Sequence, residues 1–91
     1  MKFYSAVIIE SIHPNDQSVI VIFEGDKRKQ HFEVHCKFNP YQHKLRKWDV
    51  WHFKIRWESE IFIDKKTNKK SYFTHLKCDE AIPIHQAGNG K

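Results

Sequence analysis

The chain is poor in the residues that punctuate a fold or arm an active site. Its 91 residues hold three glycines, three prolines, two cysteines and one methionine. Three scattered glycines leave no room for a phosphate-cradling Gly-rich loop, and no nucleophile elbow occurs. Cys36 and Cys78 lie far apart and no C-x-x-C is present. No run approaches the ~20 apolar residues of a membrane helix, so no membrane association is expected. "MKFYSAVIIES" offers one lysine and a short apolar patch before Glu10, which is not a signal peptide. The expected setting is cytoplasmic and reducing, with both thiols free. The length fits one domain, taken as 1–83 with a flexible tail at 84–91.

Aromatics and β-branched residues are abundant instead. Seven Phe, three Tyr and three Trp supply a core and leave some rings for a surface. Val, Ile, Phe, Tyr, Trp and Thr suit a pleated sheet. The alternation predicts strands at 3–12, 18–24, 30–38, 50–63 and 71–82. "HPNDQ" and "GDKRK" are turns. In 30–38, Phe32, Val34, Cys36 and Phe38 share one face. In 50–63, Trp51, Phe53, Ile55, Trp57, Ile61 and Ile63 share the apolar face, so Trp51 and Trp57 are assigned to the core. Trp48 is left open. Ser59 is expected to mark a bend or bulge in so long a strand. Between strands three and four, Asn39 as N-cap, Pro40 at the first position and Tyr41 and Leu45 at i, i+4 predict a short helix ending by Asp49. The expected fold is therefore all-β: a five-stranded OB-fold-like barrel with a short helix between strands 3 and 4. An SH3-like barrel is the rival architecture.

Charge is segregated. Residues 27–47 carry seven Lys or Arg and one acid, a net +6; residues 61–78 carry five Lys and one acid, a net +4; the remainder sums to −5. Segregation of this kind fits a phosphate backbone. The final turn, "DKKTNKK", concentrates Lys65, Lys66, Lys69 and Lys70 between two strands, and Phe62 and Phe73 stand at its two ends on the polar faces. Single-strand binding needs that pairing, cations for phosphates and flat rings for bases. Lys27, Arg28 and Lys29 in the earlier turn, and Lys54, Arg56, His75 and Lys77 on the last two strands, complete the candidate surface. Two other readings stay open. The lysines also suit a solvated turn that protects a hairpin edge. Phe62 and Phe73 become core or dimer contacts if the register slips by one.

Other chemistry is thin. His31 and His35 on one strand stand ~13 Å apart, too far to share a zinc that takes ligands at ~2.0–2.3 Å. His75 and Cys78 point to opposite faces. No metal or cofactor is expected. Cys36 and Cys78 both face inward and become neighbours if strands three and five pair. Glu58 and Glu60 share a face ~6.6 Å apart, as solvated acids do. No enzyme is expected.

"FEV" at 32–34, "LRKWDVWHFKI" at 45–55, "ESE" at 58–60 and "SYFTHLKC" at 71–78 follow one another in an order that resembles small bacterial OB-fold proteins similar to single-stranded DNA-binding proteins. The likeness spans roughly 3–82. The last-strand pattern of that family is matched by Tyr72, Phe73, Thr74, His75, Leu76 and Lys77. The Gly-Asp pair usual before strand four is replaced by Lys47-Trp48-Asp49, and the closing residues "HQAGNGK" carry no acid, so recruitment of partners through an acidic tail is not expected. The resemblance supports the fold above all; with the basic segments and the rings beside the lysine turn, the expected function is a non-enzymatic, sequence-tolerant module for single-stranded DNA or RNA, DNA preferred. The alternative is a protein-interaction or oligomerisation module. The apolar second face of strand two, Ile20 and Ile22, supports it, and a homodimer covering that face is compatible with strand binding.

Overall fold

A computed structural model describes residues 2–85, without the side chain of His85. The predicted tail from 86 onward lies outside the described residues. Five strands form a closed barrel in the order β1-β2-β3-β5-β4. They are β1 (Lys2–Ile8), β2 (Ser18–Phe23), β3 (Phe32–Cys36), β4 (Val50–Ile63) and β5 (Lys70–His85). All neighbours are antiparallel except β3 and β5, which run parallel.

The core follows from period-2 alternation. Ala6 and Ile8 of β1, Val19 and Val21 of β2, Val34 of β3, Trp51, Phe53 and Ile55 of β4, and Leu76, Cys78 and Ala81 of β5 are buried together. Burying one such Val, Leu, Ile or Phe contributes ~1.5–3 kcal/mol. The inward set of β5 resumes at Ala81 only because Asp79 is an extra residue. Ile55 pairs with Cys78 while Lys54 pairs with Glu80. A second irregularity between Val50 and Trp51 accommodates Pro83, which stands inside β5 and does not end it. At Pro83 β5 is paired with β4 alone, the edge setting in which proline is tolerated within a sheet. No bulge falls at Ser59; the register shifts lie at these two earlier points.

The predicted helix is also absent. Among the described residues, 37–49 forms turns. Asn39 does cap, its Oδ1 accepting the Gln42 N–H at 3.0 Å, and His43 N–H reaches Asn39 O at 3.0 Å. The turn goes no further because Lys44 takes a left-handed φ of 71°, which ends helical propagation. Fully buried Leu45 and Pro40 then pin the loop to the barrel end. The Trp48 N–H to Ile8 O bond at 2.6 Å and the Ile8 N–H to Asp49 O bond at 2.9 Å tie it to β1. Buried Asp49 accepts the Arg46 N–H at 3.1 Å.

Strand length decides the rest of the shape. β4 has 14 residues and β5 has 16, whereas β1, β2 and β3 have 7, 6 and 5. β1 covers β4 only from Val50 to Ile55, and β3 covers β5 only from Leu76 to Cys78. Beyond those rungs, 58–63 and 70–75 pair with each other alone and, with Trp57 at their root, project as a two-stranded arm.

Candidate nucleic-acid interface

The arm exposes apolar residues on both faces. Among the described residues eleven large hydrophobic side chains are exposed, and six lie on the arm: Trp57, Ile61, Phe62, Ile63, Tyr72 and Phe73. So contiguous an exposed apolar group marks a binding surface more often than an accident of folding. Cross-strand register assigns the faces. Ile61 pairs with Tyr72 and Trp57 with Leu76, which puts Trp57, Ile61, Ile63 and Tyr72 on one side. Phe62 pairs with Ser71 and Glu60 with Phe73, so Phe62 and Phe73 are diagonal neighbours on the other. Their rings meet edge to face at 5.3 Å and remain 52% and 51% exposed.

Trp57 corrects a sequence expectation. Alternation assigns it to the core beside Trp51, and its parity is indeed that of Trp51, Phe53 and Ile55. Trp51 is 2% exposed but Trp57 is 62% exposed, because the barrel wall that covers the first has ended before the second. Ile61 and Ile63 are exposed for the same reason. Tyr72, 66% exposed, joins the candidate surface although alternation alone does not point to it as a site residue. The signal for these residues is the mismatch between the two long strands of the last hairpin and the shorter strands that flank them, β1 and β3.

The arm ends in an ordered cationic turn. Asn68 N–H bonds to Asp64 O at 2.7 Å and Asp64 N–H to Lys69 O at 2.9 Å. Asp64 Oδ1 accepts the Lys66 N–H at 2.9 Å. Asn68 supplies the left-handed residue, φ 58°, a conformation that asparagine tolerates. Lys65, Lys66, Lys69 and Lys70 surround this frame, exposed, and among the described residues none is ion-paired.

Lys27, Arg28 and Lys29 lie at the same end of the barrel. β3 runs parallel to β5, so the turn entering β3 stands beside the root of the arm. Gly25, φ 89°, begins that turn. Asp26 organises it, accepting the N–H groups of Arg28 and Gln30 at 3.0 and 2.9 Å. The Gln30 bond above all holds the Asp26 carboxyl below its usual range. The rest of the 27–47 positive segment does not join this surface. Lys44, Arg46 and Lys47 are on the β3–β4 loop at the opposite end, where Arg46 stacks on Tyr41 at 4.0 Å and Lys47 lies over Trp48 at 5.0 Å.

Three further candidates are held by acids. Arg56 grips the bulged Asp79 with two bonds, Nε to Oδ2 at 2.8 Å and Nη2 to Oδ1 at 2.9 Å. It also contacts Glu58. This pairing lowers the Asp79 pKa and raises that of Arg56. Arg56 is thus a strut of the β4–β5 bulge. Lys54 Nζ lies 3.9 Å from Glu80. His75 Nε2 lies 2.5 Å from Glu60 Oε1, off the axis of a hydrogen bond, so the nitrogen is buried without one. Lys77 is half-buried on the outer face and unpaired among the described residues.

Where β3 and the arm part, a cavity of about 410 Å³ opens, lined by His31, Phe32, Glu33, His35, Trp57, Thr74, His75 and Leu76. Its size falls within the ~300–1,000 Å³ of small-ligand sites. A second hollow of about 500 Å³ lies between β1 and β4 and is lined by Lys2, Tyr4, Ile55, Arg56, Trp57 and Glu58. Trp57 borders both. Tyr4, Phe23 and Phe32 form a ring chain at this end, with centroids 6.1 and 5.6 Å apart. Among the described residues no group of three or more His, Cys, Asp or Glu is placed to hold a metal, and no helix is long and apolar enough to cross a membrane. The chain matches no family model, no curated protein and no solved structure.

Proposed function

We propose that the protein binds single-stranded nucleic acid, DNA in preference to RNA, on the arm and the barrel end that carries it. The observation behind this reading is the coincidence of four exposed aromatic rings, Trp57, Phe62, Tyr72 and Phe73, with four lysines that form no ion pair among the described residues, on one projecting hairpin. Rings in water are costly unless something stacks on them, and bases do so at ~1–3 kcal/mol each. Lysines without acidic partners are free to displace counterions from phosphates. Lys27, Arg28 and Lys29 add charge across the fork. The strand order, with β3 parallel to β5, is that of an OB-fold, and in such barrels the turn between the last two strands grips oligonucleotides. Stacked rings and phosphate-held lysines use features that every base and every nucleotide offers, which supports sequence-tolerant recognition. A labelled oligo-dT tests this against a duplex of equal length: tighter binding of the single strand supports the reading, and equal or absent binding removes it.

A second reading, a protein-interaction module, draws on Ile61 and Ile63, aliphatic side chains that do not stack bases yet stand exposed beside the rings. The sequence-based support for that reading is Ile20 and Ile22, and both are half-buried. Reversing the charge of Lys65, Lys66, Lys69 and Lys70 separates the two readings, since an apolar contact survives it and strand binding does not.

A further inference from the structure

Both cysteines of the chain lie on the seam that closes the barrel. β3 and β5 meet in only three pairs, Val34 with Leu76, His35 with Lys77 and Cys36 with Cys78. The cysteines are therefore direct partners in a parallel ladder, with side chains on the same face. Adjacent strands run ~4.7–4.9 Å apart, inside the ~4.4–6.8 Å between Cα atoms that a disulfide spans. Cys78 is fully buried and Cys36 is half-buried against the core; both are free thiols. Each rests on a backbone carbonyl, Cys78 Sγ on Glu80 O at 3.1 Å and Cys36 Sγ on Val34 O at 3.8 Å.

We propose that Cys36 and Cys78 are a redox modification site, a bolt across the β3–β5 seam that closes as an internal disulfide on exposure to hydrogen peroxide. The thiols already interact, which raises the pKa of Cys36 and lowers that of Cys78, so the pair releases its first proton readily and holds its second. Peroxide enters beside half-buried Cys36. The Cys78 thiolate, toward which the Cys36 thiol points its proton, attacks one peroxide oxygen, the O–O bond breaks, and a Cys78 sulfenic acid and hydroxide form. Cys36, losing its proton to that hydroxide, then attacks the Cys78 sulfur, forming the S–S bond and expelling a second hydroxide. The two thiol protons convert both hydroxides to water, and two electrons pass from the thiols to peroxide.

The bolt sits on one of the two three-rung seams of the barrel. β4 and β5 share a long ladder, whereas β3 and β5 share three rungs, and the fork that opens the cavity begins immediately beyond them. A cross-link there closes a loop that contains the whole β3–β4 connection, β4 and the arm, and long closed loops gain most in stability.

Intact mass of the full chain under non-reducing denaturing conditions, before and after peroxide, decides the matter. The expected result is loss of two hydrogens and of both alkylatable thiols in a monomer, with a Cys36–Cys78 linked peptide. The melting temperature should rise and reductant should return it. Cys36→Ala and Cys78→Ala should each abolish the mass loss and the rise; if one variant does not fold, the other and the wild-type masses suffice. Thiols that stay reduced, oxygen additions or cross-linked dimers in place of the internal bond, or an internal bond that lowers the melting temperature, would overturn the proposal.

Discussion

Trp57 and Asp79 show how much one residue's surroundings decide. Trp57 has the parity of a core residue and the exposure of a surface one. Trp57→Ala should leave the melting temperature nearly unchanged and weaken oligo-dT binding by ~1–3 kcal/mol, roughly 5- to 150-fold, read by fluorescence anisotropy. A large loss of stability instead would make it a core residue after all. Asp79, the extra residue of the bulge, is tied to Arg56 by two bonds and has a lowered pKa. A carboxylate with a depressed folded-state pKa contributes its stability above the unfolded value of ~3.9 and loses it as pH falls through the lower folded value. Asp79→Asn should therefore lower the melting temperature at neutral pH. The gap to wild type should narrow in melts taken below about pH 3.

At the scale of the element, the β4–β5 arm carries the candidate function and its turn carries the charge. Neutralising the turn as Lys65→Gln, Lys66→Gln, Lys69→Gln and Lys70→Gln should leave the barrel's stability intact, since the frame of the turn is made by Asp64, Thr67 and Asn68 with backbone groups. The salt dependence of strand binding should flatten by ~0.7 in slope for each phosphate deprived of its lysine. Slopes from titrations of variant and wild type check this. The strands themselves are legible from alternation, and β4 has the bounds that alternation predicts. The β3–β4 helix is not, because Asn39 and Pro40 give a valid start signal while the stop, a left-handed lysine, has no composition cue. The β5 bulge is invisible in the sequence because a one-residue insertion is set by pairing with β4 and by Arg56, not by local propensity. Pro83 reads as a terminator because edge status cannot be told from one strand alone.

The whole molecule is a small barrel whose charge is sorted between its two ends. Linear segments of net charge +6 and +4 suggest two patches. Folding splits the first, sending Lys27, Arg28 and Lys29 to the arm end and Lys44, Arg46 and Lys47 to the other, because the β2–β3 turn and the β3–β4 loop lie at opposite ends of β3. Charge segregation along the sequence is therefore an incomplete guide to charge in space. The lysine turn stands between β4 and β5 as the sequence predicts, whereas Arg56 and His75 are held by acids that lie far off in sequence or across a strand pair. On the proposed reading, the exposed aromatic arm and its lysines, which form no ion pair among the described residues, grip single strands. Anisotropy of a labelled oligo-dT, titrated with the wild-type chain across a series of salt concentrations, tests it most directly. Binding at low salt that weakens linearly in log–log form, with a slope of about −3 or steeper for four or more phosphate contacts, is the predicted result; no binding at low salt, or binding with a flat slope, would contradict it.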